Sequence, residues 1–566
     1  MDSLRRKSER KFQPRITRNT RIRNSFSYPC NPWYGFLAVV WALAVLPSAR
    51  GADAKLDLLR QQAEQSEKAG KWEQASTFYA DLFARDRGQL DSLRERYQTC
   101  LRHVYQIQRH HEAAFRQRVL NRDVAGALKV YEEVLNKLQA NYFEKDKVET
   151  TRLFRHGLTE LAMDLDEDFF NQEYLPSASL SDIEVFRDRL KDKWAGRTVR
   201  DISEAKNLAL EVALEAQKVL DLKPAVVVLE LACGACNALD EYTQFLTPGL
   251  LAETYASLEG RSVGIGVELD RFGPGQPLVI VHVLKFSPAE IAGLKPRDRI
   301  LRIDRHTADN LSAEQATDKL KGDIGSTVEL EVLPARPMKS QAGEPEPRIL
   351  TLTRQAVFVP SVVDVQMLDE MNGIGYFQLV GFQESTLAEM DDAVQQLQMQ
   401  GMKVLILDLR GNAGGLFQTA VQVAERFLSA GIIVATESQV SAFSKTYTAN
   451  NVNAWKIPLV LLIDSDTASA AEVIAGAFKD NRRATLVGQT TFGKGCIQYV
   501  VELTSVPGGI KITQARFFSP SGHFYGKGGV APHIPVERTS MMAFDEAQLR
   551  AAVQAAQRLV MMTPMR

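Results

Sequence analysis

Ser469 and Lys494 are the two side chains in this sequence whose types and surroundings best suit covalent chemistry. The run Pro458-Leu-Val-Leu-Leu-Ile-Asp-Ser-Asp-Thr-Ala-Ser-Ala-Ala-Glu472 begins apolar and β-rich and breaks into a polar turn. Ser469 then opens a helix whose apolar positions are Val473, Ile474, Ala477 and Phe478. A serine on such an elbow is exposed, beside unpaired N–H groups and the positive end of a helix dipole. The later run Thr491-Phe-Gly-Lys-Gly-Cys-Ile-Gln498 places Lys494 and Gln498 four residues apart, on one face if the stretch is extended. Serine needs a base, and lysine serves once burial lowers its pKa. Bringing that pKa from about 10.4 to neutrality takes about 4 kcal/mol of differential destabilisation of the ammonium. Gln498 can orient Nζ without adding a negative charge, and Gly493 and Gly495 let the backbone turn closely around it. The chemistry is that of a serine–lysine hydrolase.

Acyl transfer also needs donors for an oxyanion. The backbone N–H groups of Gly414 and Gly415, in Asp408-Leu-Arg-Gly-Asn-Ala-Gly-Gly415, and of Ala470 behind the serine are the candidates. No phosphate-binding glycine motif is present. Ser465 and Thr467 share the turn but do not open the helix. A rival triad of Ser469, Asp480 and His523 has the serine–acid–histidine order of another hydrolase fold but lacks its G-x-S-x-G. Cys496, beside Lys494, reads as a packing residue.

The elements that must hold these groups lie in residues 349–540, where strand and helix alternate. Lys403 to Leu409 and Pro458 to Asp464 each run as a strand into a loop and then a helix, so their strands are expected parallel with their loops at one sheet edge. Residues 259–336 have another texture, short strands with Gly/Pro turns, and contain Gly264-Ile265-Gly266-Val267 and the helical stretch from Ala313 to Leu320. Residues 53–130 read as amphipathic helices with a faint tetratricopeptide character. Residues 131–258 continue as helix, and 541–566 form a C-terminal helical tail. Cys233-Gly-Ala-Cys236 sits in an apolar helix where small thiols pack. With no second C-x-x-C and no His pair at ligand spacing, no metal is expected. His110 and His111 have no partner cluster in the sequence and read as a solvated helix face.

At 566 residues and a net charge of −1 the chain has room for several domains and gives no reason to expect nucleic acid as a partner. Residues 1–35 carry nine Lys or Arg and precede the apolar run Phe36 to Leu46, so 1–52 reads as a signal peptide. Eleven apolar residues fall short of the roughly 20 that span a bilayer. Export to a periplasm or cell envelope is expected, membrane-associated if the segment is retained.

Four stretches in order resemble the signatures of the carboxy-terminal processing (tail-specific) proteases: Asp408 to Gly415, Asp464 to Glu472, Val487-Gly-Gln-Thr-Thr-Phe-Gly-Lys-Gly495 and Thr513-Gln-Ala-Arg-Phe-Phe-Ser-Pro-Ser-Gly522. The block from Gly264 to Leu333 resembles the PDZ domain that family carries, and Asn237 to Leu246 resembles the helix before it. The resemblance implies a multidomain α/β protein: a helical N-terminal region, a β-rich PDZ domain and a crotonase-like sheet-and-helix core. It implies Ser469 as nucleophile, Lys494 as general base and Gln498 as orienter, with Asp480 as structural support and no cofactor. Gly264 to Val267 would hold the carboxylate of an extended peptide on backbone N–H groups, Ile265 and Val267 lining an apolar pocket. Protein C-termini are the implied partners, and dimerisation or an adaptor role would fall to the N-terminal helices. The alternative is a non-catalytic envelope adaptor that binds such tails. Three departures stand out: Arg297 where the PDZ turn usually has glycine, Arg305 after Ile303-Asp304, and Pro532-His533 in place of Pro-Asp.

Overall fold

The sheet behind Ser469 has six strands, in the spatial order Val362–Asp369, Ile374–Leu379, Val404–Asp408, Leu459–Ile463, Thr485–Gly488 and Ile534–Pro535. The first pair is antiparallel and every later pairing is parallel. Val404–Asp408 and Leu459–Ile463 are buried at every position, as a sheet covered on both faces requires. Helices Thr386–Met399, Phe417–Phe427 and Ala470–Asp480 cover one face, over a core that includes Leu405, Leu407, Leu461 and Phe478. Parallel strands send their exit loops to one edge, so residues 409–416, 464–469 and 489–495 converge there.

This computed structural model describes residues 49–85, 90–271, 276–311, 313–322, 324–335, 346–536 and 541–562. The expected signal peptide, 1–52, lies almost wholly outside them. Among the described residues no helix is long and apolar enough to cross a membrane. The segment read as a C-terminal tail forms the helix Met541–Met562, which is a layer of the core. Its Ala552, Ala555 and Ala556 join Tyr376, Ile406, Val460 and Leu462 on the second face of the sheet. Its Gln548 accepts a hydrogen bond from the buried Arg410.

A second sheet centres on Gly509–Phe518, flanked by Cys496–Glu502, Ala430–Glu437 with Lys445–Asn450, and Gln244–Leu246. That last strand comes from the helical region, and Leu503, Val506, Ile510 and Ile512 of the core reciprocate by completing the helical region's apolar cluster. Within that cluster the helix Pro224–Asn237 is buried on every side from Ala225 to Cys236. It crosses Thr150–Asp164 so closely that a Cβ on Gly234 would lie 2.7 Å from the Cα of Gly157. Cys233 and Cys236 are free, buried thiols there. His110 contradicts its reading as part of a solvated face: at the end of Leu90–His111 it is buried against Phe115, Phe170 and Tyr174, while His111 is exposed. A histidine's neighbours in another helix leave no mark on the periodicity of its own.

The PDZ sheet has the order Val267–Asp270, Leu278–Val283, Arg299–Ile303, Thr327–Leu333, Arg348–Thr353. A two-stranded ribbon, Arg261–Gly264 with Gln355–Phe358, ties it to the core. Arg297 does take the backbone conformation that favours glycine, with φ of 78°, and so does Asp304 just before Arg305, with φ of 49°. The PDZ turns therefore keep their shape without glycine.

Because Met541–Met562 seals one face of the sheet, Ala552→Asp should destabilise the protein by roughly 3 kcal/mol or more, the cost of burying an unpaired charge. Thermal unfolding and soluble yield measure it.

Candidate active site

The turn after Leu459–Ile463 is tied down before Ser469 is reached. Asp464 accepts from the amides of Gly411, Asp466 and Thr467, and Thr467 donates its hydroxyl to the carbonyl of Leu409. Thr467 is thereby occupied structurally. Ser469 then precedes the helix Ala470–Asp480 with φ 55° and ψ −118°, a strained conformation for a residue with a side chain. The half-buried side chain sits there at the sheet edge.

Glu472, one turn into that helix and fully buried, is the organising group. Its Oε2 accepts from the amides of Ser469 at 2.9 Å and Lys494 at 2.8 Å. Its Oε1 accepts from the Thr491 hydroxyl at 2.6 Å and the Gly493 amide at 2.7 Å. One carboxylate oxygen thus holds the backbones of Ser469 and Lys494 within two hydrogen-bond lengths of each other. Burial pushes Glu472 up to about 7 against the pull of these donors.

Burial also lowers the pKa of Lys494, opposed by Cys496, Asp240, Glu241 and Glu472. Among the described residues none of these carboxylates lies close enough to form an ion pair with it. Its Nζ rests over the ring of Tyr242, 4.6 Å from the centroid, and is not hydrogen-bonded to Ser469. A cation on an aromatic face keeps its proton more readily, so the amine must leave the ring to act as a base.

The glycine loop packs directly on the serine. A Cβ on Gly414 would lie 2.9 Å from the Cβ of Ser469 and 3.1 Å from the amide nitrogen of Ala470. The three oxyanion candidates are not equivalent. Gly414 spends its N–H on the Asn412 side chain at 2.8 Å, whereas the amides of Gly415 and Ala470 carry no hydrogen bond among the described residues. Gln498 makes no hydrogen bond to Lys494. The strand Cys496–Glu502 begins only after the lysine and shifts register between Ile497 and Gln498, so the even-spacing expectation fails there. Gln498 donates instead to Cys496 Sγ and Thr513 Oγ1.

Residues 373–536 match the model of peptidase family S41, and 256–333 that of the PDZ domain. A carboxyl-terminal-processing protease of Synechocystis is 38% identical over 319 residues, spanning 56% of this chain and 72% of that protein. The chain belongs to the carboxyl-terminal-processing protease family. A relative from Picosynechococcus is 35% identical, over 57% of this chain and 77% of its own length. Among solved structures, a photosystem II D1 C-terminal processing protease shares 26% identity, covering 76% of this chain and 99% of that one, with a TM-score of 0.40. As a member of family S41 this chain is a serine peptidase with a PDZ domain.

In this carboxyl-terminal-processing protease the rival histidine triad is not assembled. Asp480 is held by the hydroxyls of Ser519 and Ser521 and the amide of Ser521, bracing the end of the Ser469 helix against that turn. It makes no hydrogen bond to the His523 ring. His533 accepts the Leu486 amide on Nδ1 at 3.0 Å and so supplies an acceptor where the family usually has aspartate.

The PDZ loop is formed as a backbone device. Gly266 has φ of 80°, and a Cβ there would lie 2.2 Å from that of Ser287. Ile265 is buried in the PDZ core rather than lining a pocket, and Val267 is half-buried. Gly264 ends one strand and Val267 starts the next, at the sheet's edge beside the helix Ala313–Leu320.

Glu472→Gln leaves one acceptor oxygen for four donors. At pH 8 kcat should fall roughly tenfold to a hundredfold from lost alignment, with KM nearly unchanged. Stability carries a signature of its own. Between 4.5, its ordinary pKa, and about 7, native Glu472 holds a proton that the unfolded chain has lost. This group's contribution therefore falls as pH rises through that window, by about 3 kcal/mol. Denaturant unfolding across pH 4–8 should show that decline in the parent and lose it in the variant.

Proposed function

We infer that this peptidase cleaves protein substrates with a Ser469/Lys494 dyad after its PDZ domain has captured their C-terminal tails. The shared carboxylate of Glu472, which fixes the backbones of both residues at the mouth of the parallel sheet, carries this reading. When a peptide enters, Lys494 Nζ leaves the Tyr242 ring and takes the proton from Ser469 Oγ as that oxygen attacks the scissile carbonyl. The Gly415 and Ala470 amides receive the oxyanion. The protonated lysine then returns its proton to the leaving amine. Water, deprotonated by the same amine, resolves the acyl-enzyme and regenerates Ser469. Gln498 would orient the amine only after giving up its bonds to Cys496 and Thr513.

Tail capture rests on the open edge of Val267–Asp270, which pairs on one side only among the described residues. A peptide strand adds there beside Ala313–Leu320, its carboxylate facing the amides of Ile265 to Val267. The basic, apolar N-terminus supports action outside the cytoplasm, in a periplasm or cell envelope.

The test compares an apolar-tailed substrate ending in a free carboxylate with its C-terminal amide. Ser469→Ala and Lys494→Ala should each lower cleavage at least a thousandfold while tail binding persists. The amide should lose about tenfold in kcat/KM through KM. Because burial lowers the Lys494 pKa, the rate should climb with pH along a limb whose midpoint lies below that of an ordinary lysine. Equal cleavage of acid and amide would overturn tail capture. A fully active Lys494→Ala would overturn the dyad, and tail binding without parent cleavage would favour the adaptor.

A further inference from the structure

Far in sequence from the Ser469 loop, three helices deliver a set of polar side chains into the apolar core of the helical region. His110 is the penultimate residue of Leu90–His111, Asp164 ends Thr150–Asp164, and Glu230 lies in the middle of Pro224–Asn237. His110 is 2% exposed and the two acids 0%. One ligand atom from each lies within 4.8 Å of the others.

Ordinary hydrogen bonding does not account for this arrangement. No arginine, amide or hydroxyl donates to either oxygen of Asp164, whose one side-chain hydrogen bond, with Glu230, requires a proton shared between the two acids. His110 Nε2 is 3.1 Å from Glu230 Oε1 and 3.9 Å from Asp164 Oδ1, in contact with both acids. Arg109 does not fill the gap. Its guanidinium is committed to both oxygens of Glu230, with only a long 3.4 Å bond from Nε to Oε1, and to Glu160 Oε1, and it stands 3.8 Å from Asp164 Oδ1. Arg102 is bonded to Glu160. Three carboxylates (Glu160, Asp164 and Glu230) thus share two guanidiniums, and Asp164 is left with only that shared proton in a dry core, an expensive state unless something else sits there.

We propose that His110 Nε2, Asp164 and Glu230 Oε1 bind a divalent transition-metal ion, zinc being the probe of choice, which pins the three helices together. Tetrahedral zinc with bonds of about 2.0–2.2 Å sets its ligands roughly 3.3–3.6 Å apart, between the 3.1 and 3.9 Å that separate His110 Nε2 from the two acids. His110 is already oriented for the task. Its Nδ1 is 3.2 Å from the Tyr174 hydroxyl, which can take the ring's one N–H and leave the Nε2 lone pair facing the two carboxylates. Phe115 and Phe170 hold the ring edge-on. Arg109 holds Glu230 chiefly through Oε2, while Oε1, with one long 3.4 Å bond from Arg109 Nε, lies 3.1 Å from His110 Nε2. With no exposed ligand, the ion enters as the helices close around it and has a structural role, separate from proteolysis.

The experiment uses the full chain carrying Ser469→Ala to prevent self-cleavage. It is unfolded with chelator, refolded with or without zinc, dialysed, and assayed for metal by mass spectrometry. About one zinc per chain is expected in the parent and at least tenfold less in Asp164→Asn and in Glu230→Gln, while His111→Ala, an exposed control, retains it. Refolding with cobalt(II) should give the visible absorption of a low-coordinate nitrogen–oxygen site. This arm needs only the parent and stands even if the variants fold poorly. Absence of both bound zinc and a cobalt band in the refolded parent would overturn the proposal, as would a folded Asp164→Asn that retains its full equivalent.

Discussion

One buried carboxylate holds the candidate site together. Glu472 sits where a helix start, a strained serine and a glycine-flanked lysine loop meet, and it accepts hydrogen bonds from both sides. Removing water from an ionisable group is costly, and four converging donors are what make a carboxylate tolerable at this depth. The same bonds keep a φ of 55° at Ser469 from relaxing. Strain, burial and alignment are therefore one arrangement, and the parallel strands serve to bring its pieces to a common edge.

Much of this was legible in the residues. The elbow at Ser469, the lysine loop and the parallel strand–loop–helix units follow from apolar runs broken at fixed points, and tertiary packing agrees with them. Glu472 could have been read as well, since Ser469 and Glu472 have the spacing of a helix capping pair. Tyr242 could not: it arrives from the helical region, more than two hundred residues away, and local pattern carries no trace of that approach. Gln498 shows a different failure. Even spacing means a shared face only within a continuous strand, and here the strand starts late and slips register. His110 fails for the reason Tyr242 does, its surroundings being supplied by other helices.

The PDZ domain shows how backbone geometry outlasts residue type. Arg297 and Asp304 occupy left-handed conformations that glycine would take without cost, at about 1 kcal/mol each for a residue with a side chain. The turns persist because neighbouring strands tie their backbones, Arg297 donating its amide to the Ile280 carbonyl and Asp304 to that of Glu329. Gly266 has no such freedom, because Ser287 fills the space its side chain would need. Substitution is thus absorbed where a turn faces solvent and refused where two chain segments touch.

The pairing of Gln244–Leu246 with Gly509–Phe518, and the four residues from Leu503 to Ile512 that complete the helical cluster, bear on how the chain is made. A ribosome releases the helices first, yet their apolar interior stays open until some five hundred residues have emerged. The last covering of the central sheet, Met541–Met562, comes later still. Until both late segments have emerged, the helical interior and the second face of the central sheet stay uncovered, and the frame that holds the nascent hydrolase's Ser469 loop is incomplete.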